Sequence, residues 1–117
     1  MILAMRDLYF VGDSRERLIE FPKPVKIQVG QALREAQKGG KARSAKPLTG
    51  IDSGVFEIVN DYDGEAYRAA YVVKLKKCVY LLHAFQKKSK QGIKIPKQDL
   101  DLIQQRLKKA KEMDAKL

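Results

Sequence analysis

Hydrophobic and polar positions in the first third of the chain follow a strand-like pattern and then a helical one. Residues 6–11 read RDLYFV, which favours a short strand, and the turn residues GDS that follow favour the start of a helix. The prolines of FPKP interrupt this helix and begin another, because proline fits a first helical turn but not an interior. Apolar residues recur at helical spacing over residues 25–36, and glycines at 39 and 40 end the run. The pattern predicts one strand followed by a helical hairpin.

The rest of the chain passes from a polar, basic loop to strands and then to a helix. Residues 55–85 contain three strand-like runs separated by DYDG and KLKK, and Asp63-Gly64 favours a tight hairpin because glycine adopts positive φ without steric cost. The middle and last runs are apolar on both alternations, which is typical of central strands. From Lys97 onward, apolar residues return to helical spacing. These elements predict a single α+β domain over residues 1–117, with three antiparallel strands and a C-terminal helix.

The last strand-like run also predicts which side chains share a face of the sheet. Strict alternation places Val79, Leu81, His83, Phe85 and Lys87 on one face and Cys78, Tyr80, Leu82 and Ala84 on the other. His83 is therefore expected to share a face with Lys87. Cys78, the one cysteine of the chain, is expected to be a small buried apolar side chain.

The charges are segregated along the sequence. The formal net charge is +10, and nine cations with no acid among them lie between residues 66 and 98: Arg68, Lys74, Lys76, Lys77, Lys87, Lys88, Lys90, Lys94 and Lys97. A second acid-free run contains Lys38, Lys41, Arg43 and Lys46. Such clusters are typical of proteins that bind phosphate backbones, because neutralised phosphates release condensed counterions. A nucleic acid is the favoured partner, and an acidic protein segment, which would experience the same field, is the alternative.

Several classes of site lack their sequence signatures. With one histidine and one cysteine, the chain is not expected to form a metal cluster, an intrachain disulfide or an acyl-transfer triad. No phosphate-loop or dinucleotide-binding glycine motif is present, and NDYDGE suits a β-turn better than a calcium loop. The longest apolar run is too short to cross a bilayer, and the first residues lack signal-peptide character. A cytoplasmic protein without a cofactor or a membrane partner is therefore predicted.

Five segments between about Lys46 and Arg106 resemble a known family: KPLTG, SGVFEI, EAYRAAYVV, VYLLHAFQKK, and IP followed by DLDLIQQR. They resemble the toxins of bacterial type II toxin–antitoxin systems of the RelE/ParE superfamily, and most closely its HigB-like, phage-derived branch. The resemblance implies a RelE-like (microbial RNase-like) α+β fold. In that fold a twisted antiparallel sheet carries helices on one side and a basic groove on the other.

The same resemblance implies a function and its partners. Many relatives cleave messenger RNA on the ribosome without a metal, by attack of the 2′-hydroxyl on the adjacent phosphate. They are silenced by a cognate antitoxin, here expected to be a helix-turn-helix protein. Some superfamily members instead bind DNA gyrase, so the alternative is a non-cleaving protein on the same fold, either a ParE-like gyrase inhibitor or an inactive relative.

The resemblance also carries candidate site residues. The catalytic candidates are Arg68, which would contact the scissile phosphate, Lys87 and His83, and the RNA-binding candidates are Lys46, Phe85, Lys88, Lys90 and Lys94. A planar guanidinium among apolar strand residues suits bidentate phosphate contact. His83 is otherwise a core histidine with one hydrogen bond, and Lys46 a solvated loop lysine.

Two departures from the family pattern bear on activity. Asn60 and Asp61 stand where relatives commonly carry a basic residue, and an acid facing the groove would weaken RNA binding. No tyrosine follows Tyr80, so the C-terminal tyrosine that some relatives use is missing. Phe85 can stack on a base but cannot move a proton.

Overall fold

The computed structural model describes residues 5–52, 54–75, 78–87 and 95–117, and it has a mixed α+β fold. In chain order the elements are β1 (Asp7–Phe10), α1 (Ser14–Ile19), α2 (Lys23–Gln37), β2 (Ala45–Pro47), β3 (Val55–Tyr62), β4 (Glu65–Leu75), β5 (Cys78–Lys87) and α3 (Lys97–Ala115). The predicted α+β class, helical hairpin and C-terminal helix are confirmed. A three-residue strand, β2, lies in the segment predicted as a basic loop. No helix within the described ranges is long and apolar enough to cross a membrane.

Local sequence explains where the elements begin and end. α2 follows Pro22, has Pro24 in its first turn, and ends shortly before Gly39, whose φ of +92° favours glycine. Between β3 and β4, Asp63 and Gly64 have φ values of +52° and +78°, the positive pair that a type I′ turn requires. The predicted Asp63-Gly64 hairpin is therefore confirmed.

The five strands form one sheet in the order β1-β5-β4-β3-β2. The strands from β2 to β5 are antiparallel to their neighbours, whereas β1 is parallel to β5. The three predicted antiparallel strands are confirmed as β3, β4 and β5, but the sheet as a whole is mixed and not wholly antiparallel as the resemblance implied. A long connection separates β1 from β5, so the chain can return to the same end of the sheet and run in the same direction.

Apolar side chains pack on both faces of this sheet. α1 and α2 cover one face, where the core includes Leu18, Val25, Val29, Leu33, Ile58, Tyr71, Val79 and Leu81. α3 covers part of the other face, where the core includes Val55, Ala70, Val72, Tyr80, Leu82, Phe85, Ile103 and Leu107. This differs from the expected arrangement with helices on one side only, because the apolar stripe of α3 is buried against the second face.

β5 does not alternate regularly between the two faces. Tyr71 of β4 pairs with Leu81, but its neighbour Ala70 pairs with His83, so Leu82 is an extra residue in a β-bulge. A bulge moves every later side chain to the opposite face from the one predicted. His83, Phe85 and Lys87 share one face of the sheet, as predicted. That face is the one covered by α3, so the prediction that they lie on the same face as Val79 and Leu81 is wrong.

Three polar contacts hold α3 against β5 along the length of the helix. They are Tyr80 Oη donating to Asp114 Oδ1 (3.1 Å), Arg106 Nη1 donating to the Leu82 carbonyl (3.0 Å), and His83 Nε2 with Asp99 Oδ1 (2.9 Å). As the residue number on β5 increases from 80 to 83, the residue number of its partner on α3 decreases from 114 to 99, so the helix runs antiparallel to the strand. The helix is fixed in direction and register, and its first turn lies over the end of β5 that carries His83.

Replacing Ile103 by alanine is expected to lower the free energy of unfolding by about 2–5 kcal/mol, because a fully buried side chain is removed and a cavity remains. Urea unfolding measures the loss. The matched control is Ile27→Ala on α2, whose side chain is half exposed and whose replacement should change stability by no more than about 0.5 kcal/mol. Equal effects of the two substitutions would contradict the position of α3 on the sheet.

Candidate functional site

Three cross-strand rows bring the candidate residues together on the face that α3 partly covers. The rows are Lys46, Glu57, Ala70 and His83; Val59, Arg68 and Phe85; and Asp61, Ala66 and Lys87. Neighbouring strands lie about 4.8 Å apart, so side chains in adjacent strands can touch, whereas residues two strands apart are separated by about 10 Å at the backbone. We call the group Lys46, Glu57, Arg68, His83, Phe85 and Lys87 the candidate site.

Arg68 lies at the centre of this group and is held by carboxylates on the neighbouring strand. Its side chain is 12% exposed, with Nε 4.0 Å from Glu57 Oε2 and Nη1 3.7 Å from Asp61 Oδ1. Nη1 also donates to the carbonyl of Tyr67 at 3.2 Å. The guanidinium is thus oriented by the protein, and both anions beside it occupy positions that a phosphate would favour. Asp61, whose side chain is 77% exposed, can turn away into solvent, whereas the buried Glu57 cannot.

Glu57 is the functional candidate that the sequence reasoning missed. Its side chain is 6% exposed, and its Oε1 lies 3.5 Å from Lys46 Nζ. Its Oε2 is buried and has no hydrogen-bond partner among the described residues, since 4.0 Å to Arg68 is too long. A buried carboxylate oxygen without a hydrogen bond is costly, which makes it a candidate for chemistry. The sequence signal was available: an acid in the middle of the apolar run VFEIV.

His83 is buried within the candidate site. It is 1% exposed, its Nε2 lies 2.9 Å from Asp99 Oδ1, and its ring stacks on Phe85 with centroids 4.8 Å apart. Burial lowers the pKa of His83 below its ordinary value, and Asp99 partly opposes this shift. The positive charges of Arg106 and Arg17 lower the pKa further by smaller amounts. A neutral ring beside a carboxylate carries its proton on Nε2 and donates it to Asp99. The geometry is that of a core histidine with one hydrogen bond.

Acidification is expected to destabilise the fold through His83. Because the pKa of His83 is lower in the folded chain than its ordinary 6.5, the native state favours the neutral ring. This contribution to stability is complete above pH 6.5 and is lost as the pH falls through the lower folded value. Urea unfolding at about pH 7.5 and about pH 5.5 should therefore show a larger loss for the parent than for His83→Gln. Equal losses in the two proteins would contradict the prediction.

The other predicted residues occupy different environments. Lys46 is about half exposed at the sheet edge, while Phe85 and Lys87 are 4% and 5% exposed. Phe85 therefore stacks on His83 and would have to move to stack on a base. The structure brings Lys46 and Arg68 together through Glu57, and it places Lys87 one row beyond Arg68. The predicted RNA-binding residues Lys88, Lys90 and Lys94 lie outside the described residues.

The two polar residues that depart from the family pattern lie on opposite faces. Asp61 contacts Arg68 and so faces the candidate site. Asn60 donates a hydrogen bond to Gln28 of α2 and so faces the helical hairpin. The acid that was expected to weaken RNA binding if it faced the groove is therefore placed beside the principal candidate cation.

A cleft of about 530 Å³ opens beside Glu57, between the edge of the sheet and the first turn of α3. Its walls are Lys46, Pro47, Leu48, Thr49, Glu57, Ile95 and Leu100. The volume lies in the range of about 300–1,000 Å³ that small-molecule sites occupy. No group of three or more His, Cys, Asp or Glu side chains in residues 5–52, 54–75, 78–87 and 95–117 is arranged to hold a metal ion.

Most of the second basic run lies away from the candidate site. Lys38, Lys41 and Arg43 line a groove of about 690 Å³ together with Arg34 and Glu35 of α2. Lys38 pairs with Glu35 at 3.7 Å, and Lys41 donates to the carbonyl of Ala45 at 2.9 Å. Only Lys46 of this run joins the candidate site, through its contact with Glu57.

Comparison with known proteins gives one family and one similar structure. The family model described as "Phage derived protein Gp49-like (DUF891)" matches residues 16–108. A chain of the toxin–antitoxin complex RelBE2 from Mycobacterium tuberculosis is similar to this chain with 19% identity and a TM-score of 0.48, over 75% of this chain and 98% of that chain. No curated protein matches. The family match begins in α1, includes β2 to β5 and ends within α3.

Proposed function

This chain belongs to the phage-derived Gp49-like family of RelE/HigB-type toxins, and we propose that it is a toxin that cleaves messenger RNA bound to the ribosome. The observation that supports cleavage most directly is the pair of Arg68 and Glu57 on one sheet face. A cation oriented toward an anion position stands beside a buried carboxylate whose Oε2 has no hydrogen bond among the described residues. When a 2′-hydroxyl attacks the adjacent phosphate, such a carboxylate can accept the hydroxyl proton and such a cation can stabilise the charge on the phosphate oxygens.

In the proposed reaction Arg68 binds the scissile phosphate in place of Asp61. Glu57 Oε2 accepts the proton of the 2′-hydroxyl, the 2′-oxygen forms a bond to phosphorus, and the bond from phosphorus to the 5′-oxygen breaks. Arg68 stabilises the negative charge that accumulates on the phosphate oxygens. The products are a 2′,3′-cyclic phosphate and a 5′-hydroxyl end.

The departing 5′-oxygen must receive a proton. We assign this step to Lys87, because an ammonium has three protons to donate and β5 places the residue one row beyond Arg68. The single ring proton of neutral His83 is donated to Asp99, so His83 can take part only if substrate binding releases that hydrogen bond. Lys46 lines the cleft, and we assign to it a contact with a neighbouring phosphate.

A cognate antitoxin is the second proposed partner. The toxin family supports it, and the basic sequence runs would attract an acidic or amphipathic segment of a helix-turn-helix protein, making association fast and sensitive to salt. The alternative function is a non-cleaving relative or gyrase inhibitor, and the specific observation in its favour is Asp61, which neutralises Arg68.

Induction of the chain alone is expected to stop incorporation of labelled amino acid before that of labelled thymidine. Primer extension on ribosome-bound message should locate cuts whose upstream fragments end in a 2′,3′-cyclic phosphate or its 3′-phosphate product. Because the proposed reaction takes its catalytic groups from side chains, cleavage should survive chelation of the toxin before it is mixed with intact ribosomes. Loss of DNA synthesis first, with intact messages, would support the gyrase alternative, and 3′-hydroxyl ends would exclude the mechanism.

A further inference from the structure

The β-bulge in β5 is held by groups on either side of the strand. The carbonyl of Leu81 accepts hydrogen bonds from Ser14 Oγ and from the backbone N–H of Val11, each at 3.0 Å. The carbonyl of Leu82, the extra residue, accepts from Arg106 Nη1 at 3.0 Å. The extra residue of a bulge is left out of the regular pairing between the strands, so the Arg106 side chain supplies a donor to the carbonyl of Leu82.

The bulge decides which core receives His83. Without the extra residue, strict alternation would point His83 into the core under α1 and α2, on the same side as Leu81. With the bulge, the ring lies on the α3 face and reaches Asp99. The orientation of the one histidine therefore depends on a backbone irregularity directly before it.

Arg106 is itself fixed in a single position. Its guanidinium binds Asp13 Oδ1, and the other oxygen of Asp13 accepts from Arg17 Nε at 3.1 Å. Gly12 makes room for it: a Cβ at that position would lie 2.7–2.8 Å from guanidinium atoms, and the φ of +59° also favours glycine. The fork of Arg106 thus joins the Asp13 carboxylate at the start of α1 to the Leu82 carbonyl of β5.

We infer that Arg106 is a positioning residue that holds the Leu82 bulge and thereby keeps His83 on the α3 face against Asp99. A lysine would not replace it, because a single ammonium can reach the Leu82 carbonyl or Asp13 but lacks the fork that spans both. Any effect of Arg106 on RNA cleavage rests on the proposed function. The position of the ring does not, so it can be measured separately.

His83 is the only histidine of the chain, so imidazole NMR signals report on it alone. The pKa of His83 is measured with and without the substitution Asp99→Asn. The difference between the two pKa values shows whether the ring contacts the Asp99 carboxylate. In the parent, Asp99→Asn should lower the pKa, because Asp99 raises it. In Arg106→Gln, the same substitution should have no effect, and the ring should exchange its fixed Nε2–H tautomer for a mixture.

Charge and stability controls separate positioning from simpler effects. Arg17→Gln removes a cation that also lowers the pKa of His83 but does not contact Leu82, so it should leave the response to Asp99→Asn intact. Arg106→Lys keeps the charge, and Gly12→Ala keeps Arg106 but displaces its guanidinium; both should lose the response while the chain remains folded. If either variant is folded and responds to Asp99→Asn as the parent does, the inference is wrong. The two proposals can fail separately. If the variants lose the pKa response to Asp99→Asn but the parent chain does not cleave RNA, the positioning role of Arg106 stands and the proposed function is wrong.

Discussion

Arg68→Ala is expected to slow cleavage of ribosome-bound messenger RNA by about 10²–10³-fold, the effect of removing one preorganised donor to a developing charge. Binding to ribosomes should change by only a few-fold, because the remaining cations of a chain with net charge +10 still attract the phosphate backbone. Single-turnover cleavage at saturating toxin separates the two quantities.

The matched control is Arg34→Ala, which removes an exposed arginine of α2 from the groove formed by the second basic run. This substitution should leave the saturated cleavage rate unchanged. Arg34→Ala and Lys90→Ala, made separately, should each weaken binding modestly and flatten the salt dependence of binding. If Arg68→Ala cleaves as fast as Arg34→Ala, the role assigned to Arg68 is wrong even though its place in the fold stands.

Glu57→Gln is expected to reduce the saturated cleavage rate by about 10²–10⁴-fold, the contribution of a general base. Glutamine keeps the shape of the side chain but cannot take the proton of the 2′-hydroxyl. RNA binding should be equal or tighter, because a buried negative charge next to the phosphate site is removed. A fall in rate with no loss of affinity is the signature of a group that acts in the transition state.

Asp61→Asn is the control for this second experiment. It also removes an anion from Arg68, but from an exposed position that the substrate is proposed to displace, so binding should improve and the rate should not fall. Parent-like cleavage by Glu57→Gln would reduce Glu57 to a counterion of Arg68 and Lys46. If Asp61→Asn lowers the cleavage rate as much as Glu57→Gln does, the proposal that the substrate displaces Asp61 is wrong.

Most elements of the fold were predictable because they depend on local patterns. The helical spacing of residues 25–36, the Asp63-Gly64 turn and the apolar stripe of α3 are short-range features, and all three are confirmed. β2 and the bulge at Leu82 were missed. A three-residue edge strand carries too few residues for a period, and a bulge is stabilised by distant donors such as Arg106 that no local pattern includes.

The candidate site could be predicted only where a motif or charge run marked it. Arg68 stood out as a cation in an apolar strand, whereas Glu57 needed the strand register to show that it lies between Lys46 and Arg68. The partnership of His83 with Asp99 depends on the placement of α3, which is a matter of packing between distant segments. The residue types indicated the candidate chemistry, but the pairs proposed to perform it are defined by tertiary contacts.

The parallel pairing of β1 with β5 constrains the order in which the toxin can mature during its own synthesis. β1 is made before the helical hairpin and three further strands, β2, β3 and β4, whereas its hydrogen-bonding partner β5 is made only after them. Such a high-contact-order pairing forms late, because the entropy of closing the long loop must be overcome first. α3, which supplies Asp99 and Arg106, emerges later still. A nascent chain in which α3 has not yet been made therefore lacks Asp99 and Arg106 beside β5, and the proposed antitoxin has an interval in which to bind before the candidate site is in its final form.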